Sequence, residues 1–126
     1  LEEGQEQAFA RHASNHRALK AGLAAIGIRY ASNEAHTLPM LNAVHIPDGV
    51  DDMKVRGALL NRFGIEIGGG LGAYKGKVWR VGLMGHGSRQ GNVLAFLGAL
   101  EQLLAEQGHK FEHGASIAAA NAEYAD

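Results

Sequence analysis

The chain contains no cysteine, which excludes a disulfide framework and a zinc–thiolate site and leaves the compartment open. It has no apolar run near the ~18 residues that a bilayer-spanning helix needs, and its first residues lack the basic and apolar regions of a signal peptide. Neither sign of charge is in excess: 12 basic against 13 acidic side chains leave a net charge of −1, so composition offers nothing to a nucleic acid or an anionic membrane surface. Glu123-Tyr124-Ala125-Asp126 is no peroxisomal tripeptide, and the cytoplasm is the default expectation. What is abundant is glycine. Its 18 residues are about twice the ~7% of average proteins, and much of the excess lies between Gly64 and Gly91, where tight turns and close backbone approaches explain it better than disorder. At 126 residues the chain makes one domain with a real core. Opening on Leu1-Glu2-Glu3 without methionine, it reads as a piece of something longer.

Residues 64–89 organise the rest. Two short apolar runs flank a loop that is mostly glycine, and Arg80 sits in the middle of the second run. Strand alternation over 77–84 places Trp79, Val81 and Leu83 on one face and Val78, Arg80, Gly82 and Met84 on the other, so the arginine projects from a surface with little bulk around it. A guanidinium keeps its charge at any working pH and presents a rigid fork that takes a carboxylate through two parallel hydrogen bonds. Gly82 leaves room beside it for a ligand. Spacing alone leaves two readings of Arg80 open: a clamp for the acid end of a small metabolite, or an ion pair with an acid such as Glu66 that anchors two strands. Trp79 belongs to the core on the opposite face. Two phosphate motifs fail in this stretch: in Gly72-Ala73-Tyr74-Lys75-Gly76-Lys77 the first glycine is one residue too close and Val78 replaces the required Ser or Thr, while the run 68–72 lacks the helix that a dinucleotide fingerprint opens.

Elsewhere the patterning is plain. Phe9, Ala13, His16, Leu19, Leu23 and Ile26 recur at spacings of three and four, predicting a helix over 5–26 that stops at Gly27. Strands are expected at 28–30 and at 40–46, the second opened by Thr37-Leu38-Pro39 and closed by the turn Pro47-Asp48-Gly49. Asp51 or Asp52 caps a helix reaching Phe63, with Val55, Leu59 and Phe63 on one row, Leu60 beside them, Gly64 as its stop, and the polar row of Lys54, Arg56, Asn61 and Arg62 most simply a solvated face, the alternative being the border of a neighbouring domain. A brief strand at 65–67 leads into the glycine loop. After the arginine strand, Ser88 caps a helix over 89–107 whose stripe is Val93, Leu94, Phe96, Leu97, Leu100, Leu103 and Leu104. The alanine-rich end, 114–126, reads as a short surface helix or a frayed tail. The histidine pairs His12/His16 and His109/His113 have ligand spacing but no third partner for zinc; His45 reads as a strand histidine and His86 as a solvent-facing loop residue. Together these elements predict an α+β fold, a small, mostly antiparallel sheet with helices packed on one face.

The residues Gly64-Ile65-Glu66-Ile67, the turn Gly69-Gly70-Leu71-Gly72, Gly76-Lys77 and Arg80-Val81-Gly82-Leu83-Met84-Gly85 closely resemble the small-domain signature of the class V pyridoxal-phosphate aminotransferases, in their alanine/serine–glyoxylate or ureidoglycine–glyoxylate branch. The likeness extends over roughly residues 9–107. It implies a C-terminal small domain over 1–111, with 112–126 as a tail, and transfer of an amino group from alanine, serine or ureidoglycine to glyoxylate. In that family the arginine matching Arg80 binds the substrate carboxylate, which favours the clamp over the ion pair. The resemblance also implies a homodimer and pyridoxal phosphate as cofactor, carried by a lysine in a larger preceding domain that this chain lacks. Lys20, Lys54, Lys75, Lys77 and Lys110 stand in none of the family's cofactor-lysine context, so the piece alone is expected to bind the cofactor poorly and to be inactive. The other class of function open to such a chain is a non-catalytic α+β module that binds a small carboxylate ligand or mediates assembly.

Overall fold

The structure, a computed structural model, describes residues 5–30, 41–70, 74–82 and 90–124. Its elements in order are α1 (Gln5–Ala25), β1 (Leu41–His45), α2 (Asp52–Phe63), β2 (Gly68–Gly69), β3 (Val78–Gly82), α3 (Gln90–Glu106) and α4 (Ala115–Tyr124). The readings made of residues 31–40, Leu83, Met84, His86, Ser88 and Arg89, and of the Phe9, His12 and Ala13 side chains, lie outside the described residues.

β3 is the middle strand of an antiparallel sheet ordered β1-β3-β2. Its apolar face carries Trp79 and Val81, which join Val44 of β1 in one core with Leu19 and Leu23 of α1, Val55 and Leu59 of α2, and Leu97, Leu100 and Leu104 of α3. Three helices pack on α3, which is why the most leucine-rich segment takes the centre, with only the row Gly91, Ala95, Gly98, Gln102 and Glu106 left exposed. This is the expected α+β layer arrangement.

Local chemistry sets the ends of α2. Asp51 has extended backbone and its carboxylate accepts from the Lys54 N–H at 3.0 Å, while Gly64, at φ 68°, closes the helix by donating to the Leu59 and Leu60 carbonyls. A left-handed residue of that kind costs a glycine nothing. Choosing Asp51 as the cap frees Asp52 for another task, described below.

Two strand expectations are corrected. Residues 28–30 make only an isolated bridge, Tyr30 to Val44, because the Ile28 N–H is still held by the Leu23 carbonyl of the α1 terminus at 2.9 Å. The strand expected at 65–67 lies instead at Gly68 and Gly69: the Ile65 N–H is taken by the Leu59 carbonyl at 3.0 Å, and the ladder positions opposite Arg80 and Trp79 fall on the two glycines.

Residues 115–124 form a packed helix. α4 lies along α1 with Ser116 and Ala120 fully buried, and the Tyr124 hydroxyl donates to Asn15 Oδ1 at 2.5 Å. Its first turn is held by Glu101, a buried carboxylate on α3 that accepts from the Gly114 N–H at 2.7 Å, the Ser116 N–H at 3.0 Å and the Ser116 hydroxyl. A negative charge on the free amides of a helix start satisfies both their hydrogen bonding and the helix dipole.

Candidate functional site

Arg80 occupies the middle position of the middle strand, with Ala43 opposite on one side and Gly68 on the other. Two small cross-strand neighbours leave the guanidinium room to lie over the sheet edge. A Cβ on Gly68 would stand 3.1 Å from its Nη2, so even alanine there would crowd it. The Nε–H donates to the Gly69 carbonyl at 2.7 Å. That bond spends the inner edge of the fork and leaves the two terminal nitrogens for a ligand. Among the described residues no carboxylate pairs with Arg80, and Glu66 is exposed; the ion pair that spacing left open is not formed.

The group faces an open cavity of ≈ 600 Å³ lined by Arg80, Gly69, Gly70 and the Lys75-Gly76 turn, and by the Asp51 cap and Asp52, Met53 and Arg56 of α2. The glycine run is required here by contact. An alanine Cβ at position 70 would sit 2.1 Å from the Tyr74 carbonyl oxygen and 2.8 Å from a Val78 methyl, and backbone cannot step aside as a flexible side chain does. Gly70→Ala is therefore expected to destabilise the fold by about 2 kcal/mol or more, read as a lower urea midpoint at unchanged slope.

Sequence reasoning missed two members of this site, Asp52 and Arg56. Asp52 Oδ1 accepts from the Trp79 indole N–H at 2.8 Å and from Arg56 Nε at 2.8 Å, and its Oδ2 accepts from Arg56 Nη2 at 3.1 Å. The Arg56 hydrogen bonds hold the Asp52 carboxyl below its ordinary range against the opposing effect of burial, and Trp79 adds to the depression. The i,i+4 spacing of Asp52 and Arg56 was the available signal. Arg56 is thus half-buried beside the cavity, a correction to the solvated face, whereas Lys54, Asn61 and Arg62 are exposed as that face requires. Trp79 is fully buried, as expected of the core face.

The other candidates fall elsewhere. His45 is exposed, His109 Nε2 bonds the Ile26 carbonyl at 2.9 Å, and His113 tilts against the Phe111 ring. Among the described residues no three His, Asp or Glu side chains gather as a metal site, and no helix is long and apolar enough to cross a membrane. The residues present do not fit a pyridoxal phosphate site: Lys54, Lys75, Lys77 and Lys110 are exposed, and Lys20 lies over the Tyr30 ring at 5.4 Å. None is sequestered as a cofactor lysine must be.

The four helices and three-stranded antiparallel sheet are the arrangement found in the C-terminal domain of aminotransferases, and comparison bears out that fold. The chain is 42% identical over 120 residues to the (S)-ureidoglycine–glyoxylate transaminase of Bacillus subtilis, a match covering 95% of this chain and 29% of that protein. It is 37% identical over 121 residues to the pyridoxamine–pyruvate transaminase of Mesorhizobium japonicum, covering 95% and 31%. The crystal structure of the ureidoglycine–glyoxylate aminotransferase from Bacillus subtilis superimposes with a TM-score of 0.92 at 40% identity, over 98% of this chain and 32% of that one. No protein-family model matches. The chain belongs to the class V aminotransferases and has the fold of their C-terminal domain. It spans about 30% of the length of the curated relatives it matches.

Proposed function

We propose that the full-length protein transfers an amino group from a small amino acid, alanine, serine or ureidoglycine, to glyoxylate, and that Arg80 binds the carboxylate of both substrates. The observation that carries this reading is the Arg80 fork, which no carboxylate among the described residues pairs: it is anchored through Nε on the Gly69 carbonyl and lines the cavity. Held in that way, a carboxylate fixes the substrate's orientation, and orientation of the reacting C–H bond is worth a large part of such a barrier. The cofactor, pyridoxal phosphate, would be held by a lysine in a larger preceding domain, and the working form would be a cytoplasmic homodimer. Met53, Leu60, Phe63 and Tyr74 are large apolar side chains left open to solvent, and Met53 also lines the Arg80 cavity. Such a surface beside the site supports a neighbouring lobe packing there.

The test is glycine formation from glyoxylate by the full-length, pyridoxal phosphate-loaded protein with each amino donor in turn. Transfer from at least one of them is expected. Carboxylate binding without any transfer would replace this reading with a non-catalytic carboxylate-binding module. The 126-residue chain mixed with pyridoxal phosphate should develop no stable absorbance near the visible edge and no turnover; a persistent covalent adduct on one of its own lysines would contradict the placement of the cofactor in another domain.

A further inference from the structure

β2 is an edge strand made of two glycines, with no side chain of its own to hold it in place, yet it supplies the carbonyl on which Arg80 is anchored. Something else must fix it. Its ladder to β3 is one side of the answer, and the Arg56 guanidinium is the other. A Cβ on Gly69 would lie 2.9 Å from Arg56 Cζ, so the planar group rests directly against the Gly69 backbone. Arg56 is kept in that position by its two-point contact with Asp52, at 2.8 and 3.1 Å, and Asp52 is tied in turn to the strand by the indole of Trp79, the residue adjacent to Arg80. The links close a ring: Trp79 to Asp52, Asp52 to Arg56, Arg56 against Gly69, and the Gly69 carbonyl back to Arg80.

We infer that Asp52 and Arg56 are positioning residues for the carboxylate-binding arginine, acting through the Gly69 carbonyl and not through the substrate. The inference rests on the clamp reading of Arg80. Its physical content is that an arginine side chain has several rotatable bonds, whose freedom must be given up on binding; anchoring Nε beforehand removes part of that cost. When Asp52 loses its charge, Arg56 is released from Gly69, the two-glycine strand loses its backing, and the Arg80 fork is no longer held in the orientation that meets a carboxylate.

The test is a double-mutant cycle in the full-length, cofactor-loaded enzyme, with acetate as a competitive carboxylate probe. Asp52→Asn, which still accepts from the Trp79 indole, is expected to weaken acetate about tenfold, the loss of roughly one hydrogen bond's worth of ordering. Arg56→Lys keeps the charge without the planar group and should do the same. In an Arg80→Ala background neither substitution should weaken acetate further, since the group they position is gone. An effect of Asp52→Asn that persists undiminished in that background, or full acetate affinity in both Asp52→Asn and Arg56→Lys, overturns the inference while leaving the clamp intact. Unchanged acetate affinity in Arg80→Ala alone is a different result, and overturns the clamp itself. A purely structural role for Asp52 would lower thermal stability without coupling to Arg80, which the cycle separates from positioning.

Discussion

Arg80→Ala in the full-length enzyme should raise the apparent dissociation constant of the amino-acid substrate by at least about a hundredfold. On the clamp reading the fork gives the carboxylate two hydrogen bonds, and hydrogen bonds to a charged partner are worth roughly 1.5–3 kcal/mol each, so losing both costs about 3 kcal/mol or more, and each 1.4 kcal/mol is tenfold. The rate constant should fall as well, because on the proposed reading the gripped carboxylate would orient the substrate for proton removal. Arg80→Lys separates charge from geometry. A lysine retains the positive charge but can neither bridge both carboxylate oxygens in one plane nor make the Nε–H bond to the Gly69 carbonyl, so it should recover only a minor part of the loss. Steady-state kinetics with a series of donors that share the carboxylate and differ in side chain would check this. The loss should be uniform across the series, and unchanged affinity in Arg80→Ala would remove the assignment.

A second large effect belongs to stability. Glu101 is a carboxylate buried between α3 and the start of α4, and the proposed function gives it no part. Burial pushes its carboxyl up, but the Ser116 hydroxyl, the Gly114 and Ser116 N–H groups and the nearby His113 together more than offset this, and it is held below the ordinary carboxylate range. Glu101→Ala leaves the first turn of α4 without its acceptor and should cost about 3 kcal/mol, a fall in midpoint on the order of 10 °C for a domain of this size. Glu101→Gln should cost less, since one amide oxygen can still accept. The pH dependence has a definite sign. A carboxyl depressed in the folded state stabilises above its unfolded pKa, and that contribution is lost as pH falls through the folded one. The gap between wild type and Glu101→Gln should therefore be fully open at neutral pH and close on acidification below the ordinary carboxylate range. Thermal melts followed by circular dichroism over a pH series would show it, and a gap that widens in acid would refute the cap.

Much of this molecule is readable one segment at a time. The α1 and α3 stripes, Gly64 as a helix stop, the alternation that buries Trp79 and Val81 while turning Arg80 away, and the family signature over 64–85 are all periodic or local patterns, and each needs only a few consecutive residues. The misreadings share a different cause. The 65–67 strand was displaced to Gly68 and Gly69 because ladder position is set by the partner strand, and glycine carries no propensity signal that would reveal it. Asp52 reads as an alternative cap in the sequence because one of its partners, Trp79, is 27 residues away and only the nearer one, Arg56, leaves a local signal. The final segment had too few large apolar residues to announce a packed helix, yet Glu101 fixes its start and Gly22 lets it approach α1 closely: a Cβ there would meet the Ser116 carbonyl at 2.9 Å.

The sequence by itself determined the class of domain, its principal helices, and the strand position of Arg80, because periodicity, capping chemistry and a dense glycine motif are written in short stretches of chain. Only the tertiary structure decided what that arginine rests on. The anchor on the Gly69 carbonyl, the absence of a pairing acid at Arg80 among the described residues, and the Asp52–Arg56 brace behind the glycine strand all depend on which distant backbone and side-chain groups folding brings within hydrogen-bonding reach.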